Sequence, residues 1–371
     1  MVVVKKKSGG KPGSNRARNN RRSVESTDGS TEDHSERKKK ETSKAATTNK
    51  NTVSWDHTSQ KAVEFYIAKY AAKGVTGILE EYKNEIANYT GPKDSHKTFN
   101  ENAARNRSKD VICLDETRVK LPSPQTYIHA NIISEPEKTD RKYFLTQAPM
   151  ENTIEDFWRM CYEHKVMAII MLCGFKEFDK ECSAEYYPLK QGDFKNYGQM
   201  FVANKKMEEI SKETVYTLEV LPEGCSNSHI LYIVTYDQWP QHLSQAQARN
   251  VLKATRLIAT LDTLASGPIV AMDSLGVSRA AILILVDFTI TYLYQGNVME
   301  MVDMAKWLRR QRAGAITNEQ QYLFAVQTVA EYIFRAFGDK FTDEYKKLGA
   351  DDDPSSTVHT PDDKKKVEAG K

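Results

Sequence analysis

Residues 268–294 read as a strand, a tight loop and a helix in direct succession. Pro268 opens the apolar run Ile269-Val270-Ala271-Met272, which has the composition of a buried strand. The loop Asp273-Ser274-Leu275-Gly276-Val277-Ser278-Arg279 follows, and a largely apolar stretch of helical length extends from Ala280 to Tyr294. This layout gathers backbone N–H groups and a helix N-terminus around one point, as an oxyanion-binding loop does. The residue at the head of the loop is an aspartate, so the chain supplies a negative charge of its own at the place where such a loop attracts one.

Further motifs accompany the loop, in order along the chain. They are Asn106-Arg107-Ser108-Lys109-Asp110-Val111, Arg118-Val119-Lys120-Leu121, Tyr127-Ile128-His129-Ala130-Asn131, and Thr146-Gln147-Ala148-Pro149 with Asp156-Phe157-Trp158. Trp239-Pro240-Gln241-His242, Arg309-Arg310-Gln311-Arg312 and Gln321-Tyr322-Leu323-Phe324 complete the set. Together these segments resemble the NRYxDV, TQxP, DFW, WPD-loop, C-x5-R, RxQR and QYxF motifs of the protein tyrosine phosphatases, over roughly residues 60–340. The resemblance implies an α/β (α+β) fold with a twisted, mixed central sheet flanked by helices on both faces. The basic extension that precedes the domain is similar to that of nematode phosphatase-like proteins.

The departures from the family pattern fall on its chemical positions. By the resemblance, the nucleophilic cysteine corresponds to Asp273 and the histidine before it to Met272. The general acid of the WPD loop corresponds to Gln241, and the ring-stacking tyrosine to Ser108. The glutamine that positions the hydrolytic water corresponds to Thr317, and the hydroxyl residue after the loop arginine to Ala280. Arg279 alone of the central group is kept. The family route needs a low-pKa thiolate and an acid for the leaving phenolate, and neither residue is present. Loss of the acid alone forfeits about 10²–10⁴-fold in rate.

Electrostatics point the same way. A phosphate dianion about 4 Å from a carboxylate is repelled by roughly 8 kcal/mol at an effective dielectric of about 20. The expectation is therefore a pseudophosphatase: no catalytic residue, a self-filled loop at 274–279, and Asp273 accepting backbone N–H bonds while neutralising Arg279. Trp239, Pro240 and Gln241 are expected to form a permanently set loop, with Leu243 stiffening it. The expected partner is a protein, either a tyrosine-containing kinase segment or a phosphoprotein, with unphosphorylated tyrosine favoured. Two alternatives stand beside this reading: an active or residually active phosphatase, and a scaffold tethered by its basic tail without use of the cleft.

Charge and composition divide the chain. The first fifty residues carry fourteen Lys/Arg against six Asp/Glu, and the remaining 321 carry 39 against 44. Residues 1–54 lack aromatics and cannot bury enough apolar area to offset ordering entropy, so they are expected to be a disordered basic tail. A phosphatase-like domain is expected over 55–345 and a charged tail over 346–371. The acidic body argues against nucleic acid binding by the core, while the tail suits an anionic membrane surface. Five cysteines without paired spacing, no apolar stretch long enough to span a bilayer, and His164, His229 and His242 without ligand spacing imply a cytoplasmic chain. Nuclear or cortical association through the tail is compatible with this, and no metal or other cofactor is expected. Asp287, inside an apolar helix, is expected to be a paired structural residue.

Overall fold

Alternation along two buried strands sets the architecture. A computed structural model describes residues 55–90, 95–136, 141–210, 213–236, 245–262 and 267–349. The chain opens with α1 (His57–Glu81), capped by Asp56, whose side chain accepts the Ser59 N–H at 2.8 Å. Gly74, at φ +61°, breaks the helix, and Lys73 pairs with Glu81 across the break. The elements α2 (Lys97–Glu101), β1 (Arg118–Lys120), β2 (Tyr127–Ser134), β3 (Lys142–Gln147), α3 (Ile154–Glu163) and β4 (Ala168–Met171) follow. After the small hairpin β5 (Lys176–Glu177) and β6 (Lys180–Glu181) come β7 (Phe194–Tyr197), β8 (Met200–Ile210), β9 (Glu213–Pro222) and β10 (His229–Thr235). The rest comprises α4 (Gln245–Asp262), β11 (Ile269–Asp273), α5 (Arg279–Tyr294), α6 (Met301–Gln311), α7 (Glu319–Phe337) and α8 (Thr342–Lys347).

Nine strands form one mixed sheet in the order β1-β2-β3-β11-β4-β10-β9-β8-β7. At its centre β11 runs parallel to both β3 and β4, with Val270 opposite Phe144 and Ile169. Successive side chains of a strand point to opposite faces, so these central strands feed two cores. Ala168, Ile170, Ile269 and Ala271 join the core covered by α1, α4, α5, α6 and α7. Ile169, Met171, Val270 and Met272 join the second core with Phe157, Trp158 and Tyr186. A strand buried on both faces must be apolar throughout, which explains the unbroken apolar reading of 268–272.

The apolar helix is α5, nearly all of whose residues are buried. Asp287 lies within it, as expected a paired residue: its Oδ2 accepts from Arg141 at 2.8 Å and from the Tyr143 hydroxyl at 2.7 Å. The described fold continues past residue 345, because Leu348 is fully buried beyond α8. Residues 1–54 and 350–371, and with them nearly all of both expected tails, lie outside the described residues. Among the described residues, no helix is long and apolar enough to cross a membrane. The five cysteines are unpaired, with Cys225 exposed and the other four buried.

Replacing Asp287 with alanine removes the carboxylate to which the Arg141 guanidinium and the Tyr143 hydroxyl donate. We expect a loss of about 3 kcal/mol in urea unfolding, the cost of removing one member of a buried ion pair; an unchanged midpoint would assign Asp287 no structural weight.

Candidate functional site

The loop leaves the carboxyl end of β11 at the middle of the parallel strands, where open α/β sheets place their sites. Asp273 is the last residue of β11, and its side chain is almost wholly buried. One carboxylate oxygen, Oδ1, accepts the N–H groups of Leu275 at 3.0 Å and Gly276 at 2.6 Å. The other, Oδ2, accepts those of Ser278 at 3.1 Å and Ala280 at 2.9 Å. Both oxygens are thus engaged by amides of the same loop, at the positive N-terminal end of α5. Hydrogen bonds to an ionised acceptor contribute about 1.5–3 kcal/mol each, so this cluster is a principal tie of the loop.

The loop is clamped from outside as well. Arg312, fully buried, donates to the carbonyls of Gly276 and Leu275 at 3.0 Å each and to Asn131 Oδ1 at 2.8 Å. Its Nη1 also lies 3.2 Å from His129 Nδ1. His129 Nε2 lies 2.8 Å from the Val111 carbonyl. The consistent arrangement is a neutral imidazole that donates from Nε2 and accepts at Nδ1. Burial, reinforced by the Arg312 charge, lowers its pKa to about 3. Gly276, at φ +68°, permits no side chain, because a Cβ there would stand 2.2 Å from the Thr146 carbonyl oxygen.

Arg279 departs from expectation. Its guanidinium forms a two-armed ion pair with Glu177, Nη1 to Oε1 and Nη2 to Oε2, both at 2.9 Å. Burial works against its charge, but Glu177 and the attraction of Asp273 outweigh this and raise its pKa. The dominant counter-ion is therefore Glu177, which belongs to none of the sequence motifs. Glu177 stands on the β5–β6 hairpin, and its Oε1 also accepts the Gly174 N–H at 3.1 Å. The hairpin turns through Phe178 and Asp179, both at positive φ, in the sense that suits a two-residue connection. No local sequence signal marks such a long-range pair; only the charge-rich run Lys176-Glu177-Phe178-Asp179-Lys180-Glu181 singles out the hairpin.

The remaining expected positions divide. Met272 is a fully buried core residue of β11. Ile316 joins the loop through its N–H, which donates to the Val277 carbonyl at 2.8 Å, and Thr317 follows it, exposed, with its N–H donated to Gln321 Oε1. Ser108 is half-buried, its hydroxyl accepting the Asp110 N–H at 3.1 Å. Its segment is moored to the end of β3, since Gln147 accepts the Arg107 N–H at 2.9 Å and donates to the Arg105 carbonyl. Trp239, Pro240, Gln241, His242 and Leu243 lie outside the described residues. Two thiols lie near the loop. Cys173 is buried, and burial first, then Asp273, pushes its pKa far up; burial also raises that of Cys182.

The profile described as Protein-tyrosine phosphatase matches residues 102–331. The chain belongs to the protein tyrosine phosphatase family. It is 28% identical over 265 residues to tyrosine-protein phosphatase 69D of Drosophila melanogaster, an alignment covering 69% of this chain and 18% of that protein. It is 30% identical over 288 residues to receptor-type tyrosine-protein phosphatase eta of Gallus gallus, covering 76% and 20%. With tyrosine-protein phosphatase non-receptor type 9 of Rattus norvegicus it shares 28% over 278 residues, covering 70% and 46%. The chain thus spans less than half the length of these relatives. Within the phosphatase fold, the loop at 273–280 is built around an internal carboxylate.

The neutral His129 carries a pH signature. Unfolded, its pKa is near 6.5, and folded it is about 3. The unfolded chain therefore binds a proton that the fold refuses, and stability falls as pH drops through that window. Between pH 6 and 4, wild type should lose up to about 1.4 kcal/mol per pH unit more than His129→Gln. Denaturant unfolding at several pH values measures the difference, and parallel curves would refute it.

Proposed function

We propose that this phosphatase-family chain is a catalytically silent, protein-binding module. The observation that carries the reading is the set of four amide N–H groups, from Leu275, Gly276, Ser278 and Ala280, bonded to the Asp273 carboxylate. A phosphate would need such donors, and it would meet a fixed negative charge where a thiolate attacks. The carboxylate itself is a poor substitute nucleophile, because both of its oxygens are held by hydrogen bonds. The leaving-group acid is also missing, since Gln241 stands at its position.

Arg279 supports the same reading. A bidentate arginine is the usual clamp for an incoming phosphate, and here Glu177 already occupies both arms. An incoming dianion would have to displace one carboxylate and sit beside another. The partner favoured by these charges is a protein segment presenting an unphosphorylated tyrosine, such as a stretch of a kinase, bound in a signalling setting. A cytoplasmic location is part of the proposal, in keeping with five unpaired cysteines.

Two measurements test it. Wild type should release no phosphate from p-nitrophenyl phosphate above a mock preparation, and tungstate should leave its melting temperature unchanged. Asp273→Ala frees the four amides, so it should be less stable without ligand yet gain several degrees with millimolar tungstate. Turnover by wild type, or tungstate stabilisation of wild type equal to that of the variant, would overturn the reading.

The paired replacement Asp273→Cys with Gln241→Asp restores the nucleophile and the acid but leaves Ser108, Thr317 and Ala280. We expect turnover at least about 10²-fold below that of an active family member assayed alongside. Near-normal turnover would mean that only two residues separate this chain from an enzyme.

A further inference from the structure

The far edge of the central sheet is only partly closed. β7 pairs with Met200 to Ala203 of β8, and the sheet order ends there. The backbone of Gly192 and Asp193 covers Asn204. From Lys205 to Ile210 every residue is exposed, and among the described residues no strand lies against this stretch on the side away from β9. A bulge between Asn204 and Lys206 precedes a regular run in which Lys206 to Ile210 pair with Thr217 to Glu213. The Met207 N–H points away from β9, because it donates to Oε1 of the exposed Gln191 side chain at 3.1 Å. An unpaired edge with outward donors is a template for another strand.

The residues on this edge are Lys205-Lys206-Met207-Glu208-Glu209. Their charges are complementary to themselves when the order is reversed about Met207. We propose that this edge is a self-association surface whose occupant is the same edge of a second copy, paired antiparallel about a two-fold axis at Met207. A two-fold contact places the same patch on both subunits, so residue i meets residue j and j meets i. Centred on Met207, the pairing sets Lys206 of each copy against Glu208 of the other, and carries Lys205 toward Glu209. Within one copy, Lys206 and Glu208 lie on one strand face, two residues apart, with ammonium and carboxylate 2.7 Å from each other. Two copies close these four groups into a ring of alternating sign.

The backbone and the apolar residues fit the same geometry. With its N–H turned outward and the exposed Gln191 side chain displaced from it, Met207 opposes its own copy as a hydrogen-bonded pair, and the Lys206 and Glu208 positions become the closer, non-hydrogen-bonded pairs. Met207 is 46% exposed and Ile210 44% exposed, both unusual for large apolar side chains; pairing covers Met207 with its symmetry mate. Sheet edges are commonly protected by lysines alone, which repel a second copy. This one carries both signs, in an order that opposes unlike charges when the pairing centres on Met207. A shift of one residue breaks the ring and sets outward backbone groups against inward ones, and a pairing centred on Lys206 or Glu208 sets that residue against its own copy.

A strand of five or six residues is small for an interface, so the dimer should be reversible, with a dissociation constant on the order of 100 μM. Sedimentation equilibrium of the full 371-residue chain, from about 5 to 500 μM, tests this. Lys206→Glu puts like charges opposite each other twice and should weaken the dimer by about tenfold or more. Adding Glu208→Lys to that variant restores complementarity and should return the constant to within about threefold of wild type. Met207→Pro removes a donor that β9 does not use, and should abolish the dimer while leaving the melting temperature near that of wild type. A chain that stays monomeric throughout the range would overturn the proposal. So would a dimer indifferent to Lys206→Glu and Met207→Pro, or one that the double charge exchange fails to restore.

Discussion

A ring of inward-pointing amides at the start of α5 needs an acceptor, and much of the site follows from how that need is met. Backbone N–H groups cannot be left unpaired in a buried loop without a cost of about 1–3 kcal/mol each. In this chain the Asp273 carboxylate meets the need from within. The loop consequently holds its shape without a ligand, its carbonyls fixed on the opposite side by Arg312. Arg312 in turn requires the carbonyl and amide acceptors that β2 and the loop supply, and its charge adds to burial in keeping His129 neutral. One anion and one cation, both almost wholly buried, hold a loop that carries few apolar contacts of its own.

The framework around this loop does not depend on phosphatase chemistry. The central strands β3, β11 and β4 alternate their side chains between two cores, and the helices cover them by apolar contact. Met272 and Ala280, which flank the loop, are fully buried and pack in the two cores. The stabilising terms of this fold lie in burial and in loop hydrogen bonds. The Glu177–Arg279 pair, a buried arginine with a half-buried glutamate, serves the same end: it satisfies a cation that the fold keeps near the loop.

Much of the architecture was legible in the residues. The apolar run at 268–272, the tight loop and the apolar helix read as β11, loop and α5, since a doubly buried strand and a buried helix both leave unbroken apolar signatures. The structure breaks α1 at Gly74, since glycine enters positive φ there without cost. What escaped was long-range pairing. Glu177 lies 102 residues before Arg279, and Arg312 grips carbonyls 36 and 37 residues before it; neither contact has a local periodicity. The tail boundary at 345 missed Leu348 because one leucine among charged residues carries no periodic signal, although the fold buries it. The Asp287 pairing was inferred from the cost of an unpaired buried charge, a physical rule that needs no template.

The cysteines divide sharply in accessibility. Four are enclosed, and burial raises the pKa of each of them, while Cys225 stands in the turn between β9 and β10 with its thiol open to solvent. Thiolate formation and access govern alkylation, so a maleimide dye or spin label would load at this one position without any cysteine being removed. The native chain therefore comes with a built-in attachment point for fluorescence or distance spectroscopy.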